Sequence, residues 1–275
     1  MAHLKVGTVH SLWRYPVKSM LGEAIPVSAI TAQGVWGDRL YALWDPERQR
    51  VASAKNPKKW AKLLNFQAKF SETVTPPNPA TTVTITLPDG QMVNTDSPEI
   101  HTRLSQALGC SVELLSSVPK GASLDQYWPD VEGTAHQETI TQLYMPPQTF
   151  FDSCSIHLIT TATLARLQTL YPEGQFHVSR FRPNILIEPL FPTADFLEND
   201  WVGGILSIGE SVKLSIDTAC PRCVVTTLAQ SDLPQDINIL KTTARYNQVI
   251  AGIRTSVLEA GTIQQGDPIW LEKSV

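Results

Sequence analysis

The strongest constraint in this sequence is a succession of short stretches in which apolar and polar residues alternate, cut at close intervals by glycine and proline. Residues 5–17, 24–30 and 35–44 follow the pattern, with Gly22 and Gly34 as turn signals between them. A period of two puts alternate side chains on opposite faces of an extended chain, so each stretch predicts a half-buried strand. Residues 81–87, running into Pro-Asp-Gly, predict another strand and a turn. More strands are expected at 155–159, at 184–188, within 201–219, at 255–258 and at 269–271. Twenty prolines agree with a loop-rich, strand-rich chain.

Helical signals are fewer. The run 56–64, Asn-Pro-Lys-Lys-Trp-Ala-Lys-Leu-Leu, predicts one short basic helix. Residues 97–108 place Ser97 as N-cap, Pro98 in the first turn and Gly109 as the stop, with Ile100, Leu104, Ala107 and Leu108 on one face. Helices are also expected at about 162–171, carrying Leu164, Leu167 and Leu170, and at 236–246. At 275 residues the chain exceeds a usual domain of about 100–150 residues. Residues 117–150 are rich in Pro, Gly, Thr and Gln with weak periodicity and are the expected connection, which divides the chain into modules 1–120 and 121–275. The expected class is mainly β with a few helices, an α+β chain of barrel or sandwich modules.

A formal charge of −4 excludes a global attraction to nucleic acid or to an anionic membrane, so basic residues must act locally. No run reaches the roughly 18 apolar residues of a spanning helix, and the opening Met-Ala-His-Leu-Lys-Val lacks the apolar segment of a signal peptide. No membrane span and a cytoplasmic location are expected. Four cysteines in a chain of this length do not form a disulfide framework. Cys110, before the strand-like 111–115, reads as a small buried thiol. Cys154, in Phe-Asp-Ser-Cys-Ser, has no chemistry assigned to it.

Cys220-Pro-Arg-Cys223 is different. Thiols at i and i+3 can chelate a metal, form a redox dithiol or be unrelated. A structural zinc site needs two further ligands, and none of the six histidines is spaced to supply them. A thioredoxin-like motif opens a helix, whereas here the pair ends a strand and leads into Val-Val-Thr-Thr. A reactive thiolate beside Arg222 remains, since a neighbouring cation favours the form that binds soft metals or carries sulfur. Three other basic spots sit in tight turns or at strand ends: Tyr15-Pro-Val-Lys18-Ser19, Gly37-Asp38-Arg39, and Ser179-Arg180-Phe-Arg182-Pro-Asn184. Dispersed cations in an acidic chain are the expected lining of an anionic-cofactor site.

Taken in order, Tyr-Pro-Val-Lys-Ser, Gly-Asp-Arg, Arg-Phe-Arg-Pro-Asn, Cys-Pro-Arg-Cys-Val-Val-Thr-Thr and a late Gly-Asp-Pro resemble the MOSC family over nearly the whole chain, and most closely its branch with a MOSC N-terminal β-barrel domain. The resemblance implies a MOSC-type β-barrel packed against an N-terminal β-barrel-like domain, with a molybdenum cofactor (molybdopterin) between them. It implies Cys223 as the metal ligand and catalytic thiolate, with Cys220 next in line. Lys18, Ser19, Arg39, Arg182 and Asn184 are then expected around the phosphate and pterin, and Arg222 beside the metal. The stretch from Asp195 to Gly209 looks like the family's acid-aromatic-glycine strand pair, in which Asp200 is the expected acid orienting nearby cations. The implied activity is reduction of small N-hydroxylated or N-oxygenated substrates, with electrons from a separate donor protein such as a cytochrome, a ferredoxin or a flavin reductase. A rival within the same resemblance is a cofactor carrier or sulfur-transfer protein using a Cys223 persulfide. Neither the appended ferredoxin-like domain nor the aminotransferase-like domain of some relatives is recognisable, so no iron-sulfur cluster and no pyridoxal phosphate are expected in this chain. Where many relatives carry Phe-Gly-Gln, residues 251–255 read Ala-Gly-Ile-Arg-Thr, which alters part of the pocket rim.

Overall fold

The computed structural model describes residues 2–71, 82–191 and 193–273. Seven strands close into a barrel in the order Ile185–Pro189, Ile156–Thr160, Ile250–Glu259, Val212–Pro221, Ile205–Ile208, Pro268–Lys273 and Ala2–Arg14. Ala2–Arg14 completes the ring by pairing with Pro268–Lys273 on one side and with Ile185–Pro189 on the other. Two register shifts, at Lys5/Gly7 and Val9/Ser11, let this long strand bend around the barrel. The single parallel pairing in the ring, Leu158 with Ile185, is bridged by helix Thr161–Leu170, the crossover that a parallel pair requires. Inward residues are mostly β-branched or leucine, with Ile156, Leu158, Ile185, Leu206, Leu214 and Ile253 at 0% exposure. Such side chains pack well on a pleated surface and supply about 1.5–3 kcal/mol each on burial.

A second core lies in the N-terminal half. Strands Gln67–Phe70, Val83–Thr86 and Met92–Asn94 form one small sheet, and Glu113–Leu115, Ala42–Asp45 and Arg50–Val51 form another. Phe66, Ile85, Leu63 and Leu104 fill the space between them and helix Ile100–Leu108. The two halves are interlocked. Ala2–Arg14 belongs to the barrel of the C-terminal half, while Gly261–Gln264 pairs with Val27–Thr31.

The chain is thus mainly β with a few helices, and several element bounds differ from the sequence expectation. The helix expected at 97–108 starts at Ile100, because 97–99 form a turn in which Ile100 N–H donates to Ser97 O at 3.1 Å. Gly109 ends it as expected, in the left-handed conformation (φ 77°) that costs glycine little. Residues 56–64 split into helix Pro57–Trp60 and the 3-10 turn Ala61–Asn65. The expected connection holds an antiparallel hairpin, Ser123–Trp128 with Thr139–Tyr144, because its threonines and aromatics extend more readily than periodicity alone showed. The strands expected within 201–219 are preceded by a 3-10 turn, Leu197–Trp201, whose Trp201 packs on the barrel core. Of the 81–87 strand, Val83–Thr86 is extended and Thr81 lies outside the described residues.

Candidate functional site

The functional side chains meet where the two cores touch. Leu12 belongs to the barrel core, whereas Val17 and Met20 belong to the second core, so the turn after the first strand carries Lys18 and Ser19 across the junction. On the other side, Val224 and Leu228 of the barrel half pack against Ala54 and Leu64. Between these contacts lies a cavity of about 140 Å³.

Lys18, Ser19, Arg39 and Arg182 all face this cavity, and three of them have unusual backbones. Ser19 (φ 65°), Arg39 (φ 52°) and Arg182 (φ 52°) occupy the left-handed region, at a cost on the order of 1 kcal/mol each. Packing around them must hold that strain. Ser19 Oγ accepts from Ala54 N–H at 3.0 Å, and Arg182 caps the short helix Val178–Phe181. Asp38 accepts from Tyr15 N–H at 2.7 Å and from the Arg39 guanidinium. Arg39 and Arg182 both lie over the Tyr15 ring, at 4.5 and 4.3 Å from its centroid. Burial pushes the Tyr15 hydroxyl up to about 12 against the pull of both guanidiniums. Burial, followed by the like charge of Arg39, lowers Arg182 to about 10. Asp38 and Asp152 offset part of the cost of burying two cations at such close quarters, and Asp38 is hydrogen-bonded to Arg39.

Asn184 also borders the cavity, but its amide is engaged by the protein. Nδ2 donates to Asp38 Oδ2 (3.0 Å) and Trp13 O (3.3 Å), while Oδ1 accepts from His157 N–H (3.2 Å). It therefore positions Asp38 and His157 rather than offering free donors inward. Asp200, the acid expected near the cations, lies in the turn Leu197–Trp201 and is not part of the cavity wall. That stretch folds back on the barrel edge, where Asp200 O accepts from Lys273 Nζ at 2.5 Å.

The cysteine segment closes the far wall. Strand Val212–Pro221 ends beside it, and Cys223, half-buried with extended backbone, precedes the 3-10 turn Val224–Thr227. Arg222 folds between its neighbours, with Nη1 donating toward Cys220 Sγ at 3.1 Å and His157 Nε2 at 3.2 Å, and Nη2 donating to Phe181 O at 2.6 Å. Burial opposes ionisation of Cys220, but His157, Arg222 and Arg254 outweigh it and hold the thiol well below its ordinary range. Cys154, on the same cavity, goes the other way, since burial and the charge of Cys220 push it up to about 12.

Four titratable cavity residues were not singled out from sequence: Lys55, Asp152, His157 and Arg254. Asp152 receives Lys18 Nζ at 2.5 Å and Lys55 Nζ at 3.2 Å, and the two lysines overcome burial to hold its carboxyl far below the usual range. A signal existed for two of these residues. Asp152 stands in the Phe-Asp-Ser-Cys-Ser segment noted for its cysteine, and Arg254 in the 251–255 departure.

Six cations (Lys18, Arg39, Lys55, Arg182, Arg222, Arg254) thus face a single lining carboxylate, Asp152, although the chain as a whole carries −4. Arg182 Nη1, Arg222 Nε and Arg254 Nε are buried without a hydrogen-bond partner. Unpartnered buried donors are rare in proteins, and three on one cavity leave it able to take an acceptor from outside the chain. Among the described residues no group of three or more His, Cys, Asp and Glu side chains is placed to hold a metal. A metal at Cys223 would therefore need further ligands from a non-protein group.

Residues 6–125 match the family described as the MOSC N-terminal beta barrel domain, and residues 147–270 match the family described as the MOSC domain. Aligned over 97% of its length, the chain is 24% identical to Mitochondrial amidoxime reducing component 2 of Homo sapiens, covering 84% of that protein. Identity is 23% to the Bos taurus protein of the same name and 25% to Mitochondrial amidoxime-reducing component 1 of Mus musculus, with 97% of this chain and 83% of each relative aligned. Among solved structures, the YUAD protein from Bacillus subtilis shares the fold with a TM-score of 0.50 at 10% identity, over 100% of this chain and 99% of that one.

Proposed function

The chain belongs to the MOSC family, pairing a MOSC N-terminal beta barrel domain with a MOSC domain, and on that premise we propose that it binds a molybdenum cofactor through Cys223 and reduces N-oxygenated compounds. The observation that carries this reading is the convergence of unpartnered guanidinium nitrogens, Arg182 Nη1 and Arg222 Nε, on the cavity that Cys223 enters. A phosphate and pterin bring the acceptors those donors lack, and planar guanidinium forks bind such groups bidentately. The residues present fit the group. Lys18, Ser19, Arg39 and Arg182 would hold its phosphate and pterin, and Cys223 its metal.

Cys223 is preferred over Cys220 because the Cys220 sulfur is already engaged by Arg222, whereas Cys223 makes no side-chain hydrogen bond among the described residues. When bound, the cofactor would supply an oxygen-accepting metal that cycles between oxidation states. The chain's own residues would orient that group. Conversion of an N-hydroxyl compound to the amine and water consumes two electrons and two protons. A separate donor protein is the proposed electron source.

Protein made in a host that synthesises the cofactor is expected to carry about one molybdenum per chain and to reduce an amidoxime with an artificial electron donor. Cys223→Ser is expected to lose the metal, and Cys220→Ser to keep it. The reverse pattern overturns the ligand assignment. Molybdenum-loaded protein that is inert with every donor refutes the reductase and leaves the carrier or sulfur-transfer role.

A further inference from the structure

The cavity's cations differ in what they neighbour. Arg39 and Arg182 share the Tyr15 ring at the end where the chain crosses between the cores. Although the charge of Arg39 also reaches Cys154, of these three only Arg254 is felt by both Cys154 and Cys220. It pairs directly with His157 across strands Ile156–Thr160 and Ile250–Glu259, and its charge is felt by Cys220, Cys154 and Lys55.

The cations near the thiols differ in what they have left to offer. Lys55 is matched by Asp152. Both Arg222 terminal nitrogens are engaged by Cys220, His157 and Phe181 O. Arg254 enters no ion pair and no side-chain hydrogen bond among the described residues, and its Nε is buried without a partner. A guanidinium held this way is stabilised when a planar anion arrives to take its fork.

We propose that Arg254 receives a carboxylate carried by the substrate, so that the protein selects N-oxygenated compounds bearing an anionic group within reach of the reacting N–O bond. This rests on the reading that the reacting centre lies at Cys223. The cofactor's own anionic groups would be taken chiefly by Arg182, with Lys18 and Arg39 keeping their partners Asp152 and Asp38, while Arg254 forms no ion pair among the described residues. A carboxylate suits it better than a spherical anion, because the flat fork engages both oxygens at once.

Cofactor-loaded protein and its Arg254→Gln and Arg254→Lys variants are to be compared on benzamidoxime and on the same molecule with a 4-carboxylate. The ratio of kcat/KM, carboxylated over neutral, is expected to fall about tenfold to a hundredfold in Arg254→Gln, with Arg254→Lys between, as for loss of a bidentate charged contact. Calorimetric titration with benzoate and with benzamide gives a reading without turnover, in which benzoate binding alone should weaken in Arg254→Gln. An unchanged ratio, or equal loss of benzoate and benzamide, overturns the proposal. So does loss of molybdenum from Arg254→Gln, which would make Arg254 a cofactor ligand. If the parent protein reduces neither amidoxime, the functional reading fails and the benzoate and benzamide titration alone decides the carboxylate subsite.

Discussion

Arg180 offers the sharpest test of how the cysteine wall is held. It is 0% exposed and forms no salt bridge among the described residues; its guanidinium donates to four backbone carbonyls. Nε reaches Gln175 O at 2.8 Å, Nη1 reaches Thr226 O and Leu228 O at 3.1 Å each, and Nη2 reaches Pro234 O at 2.7 Å. Three of those carbonyls belong to the segment that follows Cys223. Replacing Arg180 with alanine strands the two buried acceptors, Thr226 O and Leu228 O, and leaves the part-buried Gln175 O and Pro234 O to water, for a loss of about 2–4 kcal/mol. That is a large share of the roughly 5–15 kcal/mol that holds a typical domain folded. Arg180→Lys keeps the charge, but its donors radiate from one nitrogen and cannot span the four carbonyls, so about half the loss is expected. Urea unfolding followed by tryptophan fluorescence measures both. An Arg180→Ala loss below about 1 kcal/mol would show that water or a local rearrangement satisfies these carbonyls and that Arg180 does not hold the wall.

Two further perturbations probe the site's supports. Gly252 has φ +89°, and a Cβ there would run into His157 Nε2 and Leu158 O. Gly252→Ala should therefore cost at least about 2 kcal/mol in urea unfolding and displace His157 from Arg222; a change under about 0.5 kcal/mol would mean the strand end is softer than its contacts imply. Glu198 is fully buried, and its carboxylate accepts from the Thr160 and Thr163 hydroxyls at 2.7 and 2.8 Å. Burial raises its pKa above the ordinary value despite those bonds. The folded chain then binds this proton more tightly than the unfolded chain. Its contribution is fully present below the unfolded value of about 4.3 and is lost as pH rises through the folded one. Denaturant midpoints between about pH 4 and 8 should fall more with rising pH in the parent than in Glu198→Gln, and parallel curves would refute the assignment.

What the sequence determined by itself was local. Alternation placed most of the strands, although the stretch expected at 35–44 breaks into Gly34–Val35 and Ala42–Asp45 around a turn; Gly109 stopped its helix, and the turns holding Lys18, Arg39 and Arg182 were legible because tight turns and capped ends have residue signatures within a few positions of themselves. Tertiary structure decided what those turns face. Closing the barrel brings Ala2–Arg14 beside Ile185–Pro189, a pairing across most of the chain that no short pattern encodes. The same closure spends Asn184 on internal bonds to Asp38 and His157, leaves Asp200 at the barrel edge, and sets Arg254 opposite His157. Lys55 and Asp152 carry no motif of their own, and they matter because two cores meet there and bury them together with Lys18. Short-range sequence dictates backbone shape through sterics and periodicity. Which charges share one desolvated cavity depends on long-range strand register and closure, which only the folded chain supplies.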